Sequence, residues 1–168
     1  ASVSLIDSSV LPSKVTRLPL QRQFSRMTVS PDGAYAVAWP DPSKAPVSGA
    51  EGIFTLIDLK KARAGAALSQ VLAERGGGYR ITDVVFRSDN AVATKLYIFA
   101  KSTVSTFDLP ASAALPRRVS LPASMAADVK SREVVASADG RVVMLRSTTA
   151  PELASFDGVA IALVPLPE

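Results

Sequence analysis

The chain has 168 residues, of which 48% are hydrophobic; this length and composition exclude an intrinsically disordered protein and fit a single globular domain. Its 19 lysine and arginine residues outnumber its 15 acidic residues, but the positive side chains are scattered along the sequence, so nucleic acid binding is not predicted. The sequence contains neither cysteine nor histidine, which excludes disulfides, thiol nucleophiles and Ser-His-Asp triads.

Without histidine and cysteine, nearly every common zinc or haem ligand set is also excluded. The calcium-loop pattern Asp-x-Asp-x-Asp-Gly does not occur in the sequence, and the glycine run after Arg75 lacks the pattern of a phosphate-binding loop. We therefore predict a protein that is not an enzyme, with no catalytic residue, no metal site and no cofactor.

The first third of the chain predicts four short strands, at residues 15–19, 24–30, 34–39 and 53–59. The segment Ser30-Pro31-Asp32-Gly33 lies between two of them, and glycine tolerates the positive φ that a tight hairpin requires. This pattern is typical of an antiparallel sheet with short connections.

The segment 60–74 has two interpretations. Its alanine and leucine content, with Leu68 and Leu72 four residues apart, is compatible with a short helix. Its place in the sequence of strands favours a hairpin with a strand at 68–73, and we predict the hairpin.

The rest of the chain continues the same pattern of strands and turns. Ser88-Asp89-Asn90 and Ser137-Ala138-Asp139-Gly140 repeat the turn signal of the first third. The strands predicted around these turns cover residues 81–86, 92–100, 104–109, 118–122, 133–137, 141–146 and 159–164.

An internal repeat of about fifty residues links these elements. The segments Ser4-Leu5-Ile6-Asp7, Thr55-Leu56-Ile57-Asp58 and Ser105-Thr106-Phe107-Asp108 are similar, and their aspartates lie 51 and 50 residues apart. A fixed period of this length is the signature of a repeat architecture. The predicted fold is all-β, one propeller-like unit over 1–168 with about three four-stranded antiparallel blades, approximately 8–59, 60–109 and 110–166.

The strand-end Leu-Ile-Asp segments and the Ser-Pro-Asp-Gly turn resemble the blades of bacterial β-propellers of the TolB-like and YVTN-like kind. Natural propellers have about four to eight blades, so the resemblance implies that this array is part of a larger ring. The ring would be completed by additional blades, by a protein partner or by a second copy of the chain in a homo-oligomer.

Three functions are compatible with this resemblance. The leading hypothesis is a non-enzymatic module for protein or ligand interaction. The alternatives are a fragment of a lactonase-like or quinoprotein-like propeller enzyme, whose catalytic residues lie in blades outside this chain, and a structural subunit of an envelope or extracellular complex.

The recurring aspartates Asp7, Asp58 and Asp108 also have two interpretations. They could form a carboxylate cluster at one end of a ring, or each could cap its own turn through a hydrogen bond to the backbone. Repetition is what a structural role predicts, so we favour capping.

The candidate interaction residues are one aromatic residue and several basic ones. We expect Trp39 to pack in the core, with a recognition surface at the end of its strand as the alternative. The basic candidates could form a docking patch for an acidic partner or keep loops and strand edges soluble; they are Lys60, Lys61, Arg63, Arg75, Arg117 and Arg118.

No stretch of the sequence approaches the ~20 consecutive apolar residues of a membrane-spanning helix, so no membrane span is predicted. The sequence begins with Ala1 instead of Met, which we interpret as a processed mature chain, a recombinant segment or a fragment of a longer protein. Together with the resemblance to bacterial propellers, this favours the periplasm, the cell envelope or the exterior of the cell.

Overall fold

The structure is a computed structural model that describes residues 1–8, 11–41, 43, 52–111, 114–126 and 132–164. These residues form fourteen strands and three short helices. Twelve of the strands make three four-stranded antiparallel sheets that follow one another along the chain, and the first two make a separate hairpin. The prediction of an all-β array of four-stranded blades is therefore confirmed.

The N-terminal hairpin consists of β1 (Ser2–Asp7) and β2 (Lys14–Pro19), which pair from Ser2 opposite Pro19 to Asp7 opposite Lys14. Burial alternates along β1, as expected for a strand with one face on the protein. The hairpin packs its apolar face on the next sheet.

The first sheet contains β3 (Arg26–Val29), β4 (Tyr35–Trp39), β5 (Ile53–Asp58) and β6 (Leu72–Gly76), hydrogen-bonded in chain order. Two short helices connect its last two strands.

These helices are α1 (Leu59–Arg63) and α2 (Leu68–Val71), so the predicted hairpin at 60–74 is wrong. Asp58 caps α1 by accepting a hydrogen bond from the Lys61 N–H at 2.9 Å. The helices form because Leu59, Ala62 and Val71 can then be buried against the sheet, which outweighs the strand pattern of the segment.

The second sheet contains β7 (Asp83–Asp89), β8 (Val92–Phe99), β9 (Thr103–Asp108) and β10 (Arg117–Ser120), again in chain order. Asn90 and Ala91 both adopt positive φ in the turn between β7 and β8. The sequence predicted the positions of these four strands closely.

The third sheet contains β11 (Arg132–Ala136), β12 (Val143–Ser147), β13 (Leu153–Phe156) and β14 (Ile161–Val164), and α3 (Ala123–Ala126) precedes it. No strand was predicted at the position of β13. This strand has only four residues, in which the buried Ala154 and Phe156 alternate with less buried neighbours.

The sheets divide the chain at different residues from the approximate unit boundaries. The first and second sheets each end with the strand that the prediction had placed at the start of the following unit, whereas the third sheet ends with β14, which was predicted as the last strand of its own unit. The segment 15–19 pairs with β1 instead of β3. A repeat in the sequence gives the length of the repeating unit but not the residue at which one sheet ends. The sheet boundaries depend on which neighbouring strands along the chain pair with each other. The predicted end of the last unit, residue 166, lies outside the described residues.

The core lies in layers between successive sheets, because alternate residues of each strand face opposite neighbours. Fully burying a large apolar side chain contributes about 1.5–3 kcal/mol. The hairpin and first sheet bury Leu18, Ala36, Ala38 and Ile57; the first and second sheets bury Val37, Phe54, Leu56, Leu96 and Ile98; the second and third sheets bury Tyr97, Phe99, Val143, Leu145 and Phe156.

The turn between β3 and β4 joins the first sheet to the second. One carboxylate oxygen of Asp32 accepts a hydrogen bond from the Ala34 N–H at 3.0 Å, and the other accepts one from the Ala93 N–H of the second sheet at 3.0 Å. Burial raises the pKa of Asp32, but hydrogen bonds from Ser30, Ala93 and Ala34 together outweigh it and leave that pKa below its ordinary value.

The corresponding turns of the second and third sheets are joined in a similar way. The Ser88 N–H donates to the carbonyl oxygen of Asp139 at 2.7 Å, and Arg141 Nη2 donates to Asp89 Oδ1 at 2.8 Å. Hydrogen bonds from Thr94 and then from Arg141 lower the pKa of Asp89. Contacts at these turns therefore fix the spacing of the sheets.

A buried arginine anchors the third sheet to the second. Arg132 is 5% exposed, and its guanidinium donates to the carbonyl oxygens of Lys101 (3.1 Å), Met125 (2.9 Å) and Ala100, and to the Thr82 hydroxyl (2.7 Å). Burial lowers the pKa of this guanidinium. Within the described residues, no helix is both long and apolar enough to cross a membrane.

Candidate functional site: a basic pocket at the end of the second sheet

A pocket of about 210 Å³ opens beside the first and second sheets, at the middle of β8 and the end of β9. We call it the basic pocket. Its apolar floor is formed by Phe54, Leu56, Leu96 and Phe107, and its charged rim by Arg75, Arg87, Lys95, Asp108 and Arg117.

The floor belongs to the core between the first and second sheets. Phe54 and Leu96 are fully buried, and the Phe107 ring packs edge-on against the Phe54 ring with centroids 5.2 Å apart and an interplanar angle of 78°. Aromatic pairs prefer this arrangement, so the floor is an ordered aromatic surface.

Strand register brings the cations of the rim together. Arg75 on β6 pairs with Phe54 on β5, Arg87 on β7 pairs with Lys95 on β8, and Arg117 on β10 lies opposite Thr106 on β9. Residues distant in sequence therefore meet at one edge of the fold.

Two of the four cations lie close to an acidic side chain. Lys95 Nζ donates to Asp108 Oδ1 at 2.7 Å, and Arg87 Nη2 lies 3.6 Å from Asp89 Oδ1.

Arg75 and Arg117 form no ion pair with any residue in the part of the chain that the structure describes. The lining holds four cations and one carboxylate, so its positive charge is only partly balanced. An apolar floor beneath such a rim suits an anionic group attached to an apolar body.

Of the basic residues predicted from sequence, Arg75 and Arg117 lie in the basic pocket. Arg118 is exposed on β10 but, by strand alternation, points to the other face from Arg117 and does not line the pocket. Lys60 and Arg63 are exposed on α1.

Lys61, also on α1, has its Nζ 3.6 Å from Asp58 Oδ2 and lines a second groove of which Arg75 and Ala111 are also part. This groove shares residues with the basic pocket, so the two are neighbouring surfaces. The predicted basic residues of α1 thus do not line the basic pocket itself.

Trp39 is 6% exposed and belongs to the core between the first and second sheets. Its indole nitrogen is buried and has no hydrogen-bond partner among the described residues. The side chain therefore takes the position expected for core packing.

Arg87 and Lys95 were not among the site residues predicted from the sequence. Lys95 lies inside the predicted strand 92–100 and Arg87 directly follows the predicted strand 81–86, positions at which a charged side chain is ordinarily attributed to a solvent-facing role. A basic residue near each end of a hairpin turn was the only signal, since the turn Ser88-Asp89-Asn90 brings the two strands together.

The recurring aspartates do not form one site. Asp58 caps α1, Asp108 pairs with Lys95, and Asp7 lies opposite Lys14 in the N-terminal hairpin. No three acidic side chains of the described residues are close enough to hold a metal ion together.

No protein-family model matches the sequence, and no curated protein matches it. Among solved structures, the chain is similar to hydrazine synthase of Kuenenia stuttgartiensis, with a TM-score of 0.55 and 13% sequence identity. The match covers 94% of this chain and 46% of that one. At this identity the likeness shows the fold alone, and the chain spans less than half the length of the matched protein.

A second solved structure, of a functionally unknown protein from Desulfotomaculum acetoxidans DSM 771, has a TM-score of 0.43 and 15% identity over 98% of this chain and 62% of that one. The resemblance to TolB-like and YVTN-like blades stays a prediction.

Proposed function

We propose that this chain is a non-enzymatic interaction module, built from propeller-like blades, that forms part of a larger array. The observation that carries the proposal is the N-terminal hairpin, which corresponds to half of a blade. Its missing half would come from further blades or from a second copy of the chain.

The internal repeat supports this correspondence. Ser4 to Asp7 on β1 matches Thr55 to Asp58 on β5 and Ser105 to Asp108 on β9, and both of these are the third strands of their sheets. On this register β1 and β2 are third and fourth strands. No strand of the described residues pairs with the second edge of β1, where the second strand of a complete blade would lie.

An exposed apolar strip lies beside this edge. Met27 and Val29 on β3 are 51% and 48% exposed, and they share a face of the first sheet with Ala36 and Ala38, which are buried in the layer shared with the hairpin. The hairpin therefore covers this face on β4, β5 and β6 and leaves it open on β3.

The equivalent face of the third sheet is covered by a full four-stranded neighbour, the second sheet. Val134, three residues before the turn serine Ser137, packs against the core shared with the second sheet, whereas Met27, three residues before Ser30, is open. Two further strands beside β1 would place apolar side chains over Met27, as the second sheet does over Val134.

The opposite end of the array carries a second open face. Val135 on β11 is 63% exposed on the side of the third sheet that faces away from the second. Open apolar faces and unpaired strand edges favour association with further strands. Both ends of the array therefore support a role in assembly.

The proposal that the module is not an enzyme rests on the sequence, which lacks the histidine and cysteine on which many catalytic sites depend. The alternatives of an enzyme fragment and of a structural subunit in an envelope complex stay predictions.

The test is the solution mass of the 168-residue chain, measured by light scattering coupled to size exclusion over a wide concentration range. We expect concentration-dependent association, because burying the open faces removes apolar surface from water. The double variant Met27→Ser, Val29→Ser should associate more weakly. The control is Val92→Ser, which changes an equally exposed valine on the second sheet, away from both ends.

A parent chain that stays monomeric at every concentration would contradict the assembly proposal. So would association that the Met27, Val29 double variant and the Val92 control weaken equally.

A further inference from the structure

We infer that the basic pocket is a binding site for a small aromatic carboxylate. The inference goes beyond the proposed role in assembly, because the pocket is built within the array and not at its open ends. The residues that line it lie on the first and second sheets, in the segment between β9 and β10, and in the turn between β13 and β14 of the third sheet.

The size and floor of the pocket argue for an apolar ring. A dry protein cavity of roughly 150 Å³ takes up benzene, and the basic pocket of about 210 Å³ leaves room for one ring and a short substituent. The edge-on pair of Phe54 and Phe107 presents an aromatic surface against which a ring can pack.

The rim argues for an acidic group on that ring. Arg75 and Arg117 are the rim cations without an ion pair among the described residues, and the planar guanidinium fork matches a carboxylate in two parallel hydrogen bonds. Lys95 is already held by Asp108, so we assign the contacts to the ligand to the two arginines.

The contacts at the far side of the pocket are fixed by the fold. Thr106 Oγ1 donates to the carbonyl oxygen of Gly158 at 3.3 Å, which ties the second sheet to the third where Gly158 and Val159 line the pocket. A side chain at position 158 would lie 2.5 Å from the Tyr97 hydroxyl, so this wall requires glycine.

The first experiment measures binding of three probes to the 168-residue chain by isothermal titration calorimetry. The probes are 3-phenylpropionate, its neutral analogue 3-phenylpropionamide, and inorganic phosphate. We expect the carboxylate to bind at least about tenfold more tightly than either of the other two, because only it combines a ring with a negative charge.

The second experiment compares matched variants. Arg75→Gln and Arg117→Gln should each weaken binding of 3-phenylpropionate by about five- to tenfold, as expected for loss of a charge-assisted hydrogen bond. Arg118→Gln removes the same charge from the neighbouring residue of the same strand, outside the pocket, and should leave the affinity unchanged. All three positions are exposed, and circular dichroism with thermal unfolding checks that each variant is folded.

Three results would overturn the inference. If 3-phenylpropionate does not bind, the pocket is not a site for aromatic carboxylates. If the acid and the amide bind equally, the charged rim does not contribute to binding. Equal affinity for inorganic phosphate removes the role of the aromatic floor. Each of these results leaves the solution mass, and hence the assembly proposal, unaffected.

Discussion

Two glycines in equivalent turns provide a direct measure of how closely the sheets are packed. Gly33 and Gly140 end the turns between the first two strands of the first and third sheets, with φ of +64° and +66°. Alanine in this conformation costs about 1–2 kcal/mol at either position, because its Cβ crowds the following carbonyl. The local strain of the two substitutions is therefore nearly the same.

The surroundings of the two turns differ. A Cβ on Gly140 would lie 2.0 Å from the carbonyl oxygen of Phe86 and 2.9 Å from Cα of Arg87, both backbone atoms of the second sheet. The nearest atom to a Cβ on Gly33 is Nη2 of Arg63 at 3.9 Å, an ordinary contact. Only Gly140→Ala therefore has to push two sheets apart.

Overpacking of this kind costs a further 1–3 kcal/mol or so, and more where backbone must move. We expect Gly33→Ala to lower the free energy of unfolding by about 1–2 kcal/mol and Gly140→Ala by about 2–5 kcal/mol. Urea unfolding followed by fluorescence of the buried Trp39 measures both, and m-values show whether the transitions are comparable. Equal losses in the two variants would refute the close approach of the third sheet to the second at this turn.

Two further predictions concern contacts between sheets. Arg132→Met should lower the free energy of unfolding by about 2–4 kcal/mol, because it leaves buried hydrogen-bond acceptors without a donor. The control Arg146→Met, at an exposed ion pair on the adjacent strand, should change it by no more than about 0.5 kcal/mol. Urea unfolding measures both variants, and similar losses would contradict the anchoring role of Arg132. The pKa values of Asp32 and Asp89 are lower in the folded chain than their ordinary values. The ionised carboxylates therefore stabilise the fold above about pH 4, and that contribution is lost as the pH falls through the lowered pKa values. Thermal unfolding between pH 6 and pH 2 should show this loss, and Asp32→Asn should reduce it; an unchanged pH dependence in Asp32→Asn would contradict the role of the turn.

The sequence was sufficient for those features of the fold that repeat. Positive-φ residues in the turns and alternating apolar strands are local requirements, so the strands of the second sheet could be located from the sequence alone. The helices α1 and α2 could not, because they depend on the burial of Leu59, Ala62 and Val71 on a sheet formed by distant residues. The residues at which each sheet begins and ends could not be predicted either, since they depend on which strands pair.

The candidate site divides in the same way. Arg75 and Arg117 stood out because they flank a glycine run and a predicted strand, but nothing local indicated that they face one pocket. That relation depends on the register of β5 with β6 and of β9 with β10, and on the stacking of two sheets. Arg87 and Lys95 were missed because their pairing across a hairpin becomes visible only when the strands are aligned.

The position of the basic pocket within the array separates the two proposed properties of the chain. The first, second and third sheets all contribute to its lining, and the inter-sheet contacts of Asp32 with Ala93 and of Ser88 with Asp139 lie at the turns of these same three sheets. The open faces at Met27 and Val135 lie at the two outer ends. Completing the array would therefore add strands beside the hairpin and the third sheet without altering the residues that line the pocket. The affinity of the pocket for its ligand should consequently be the same in the isolated chain and in its assembled form.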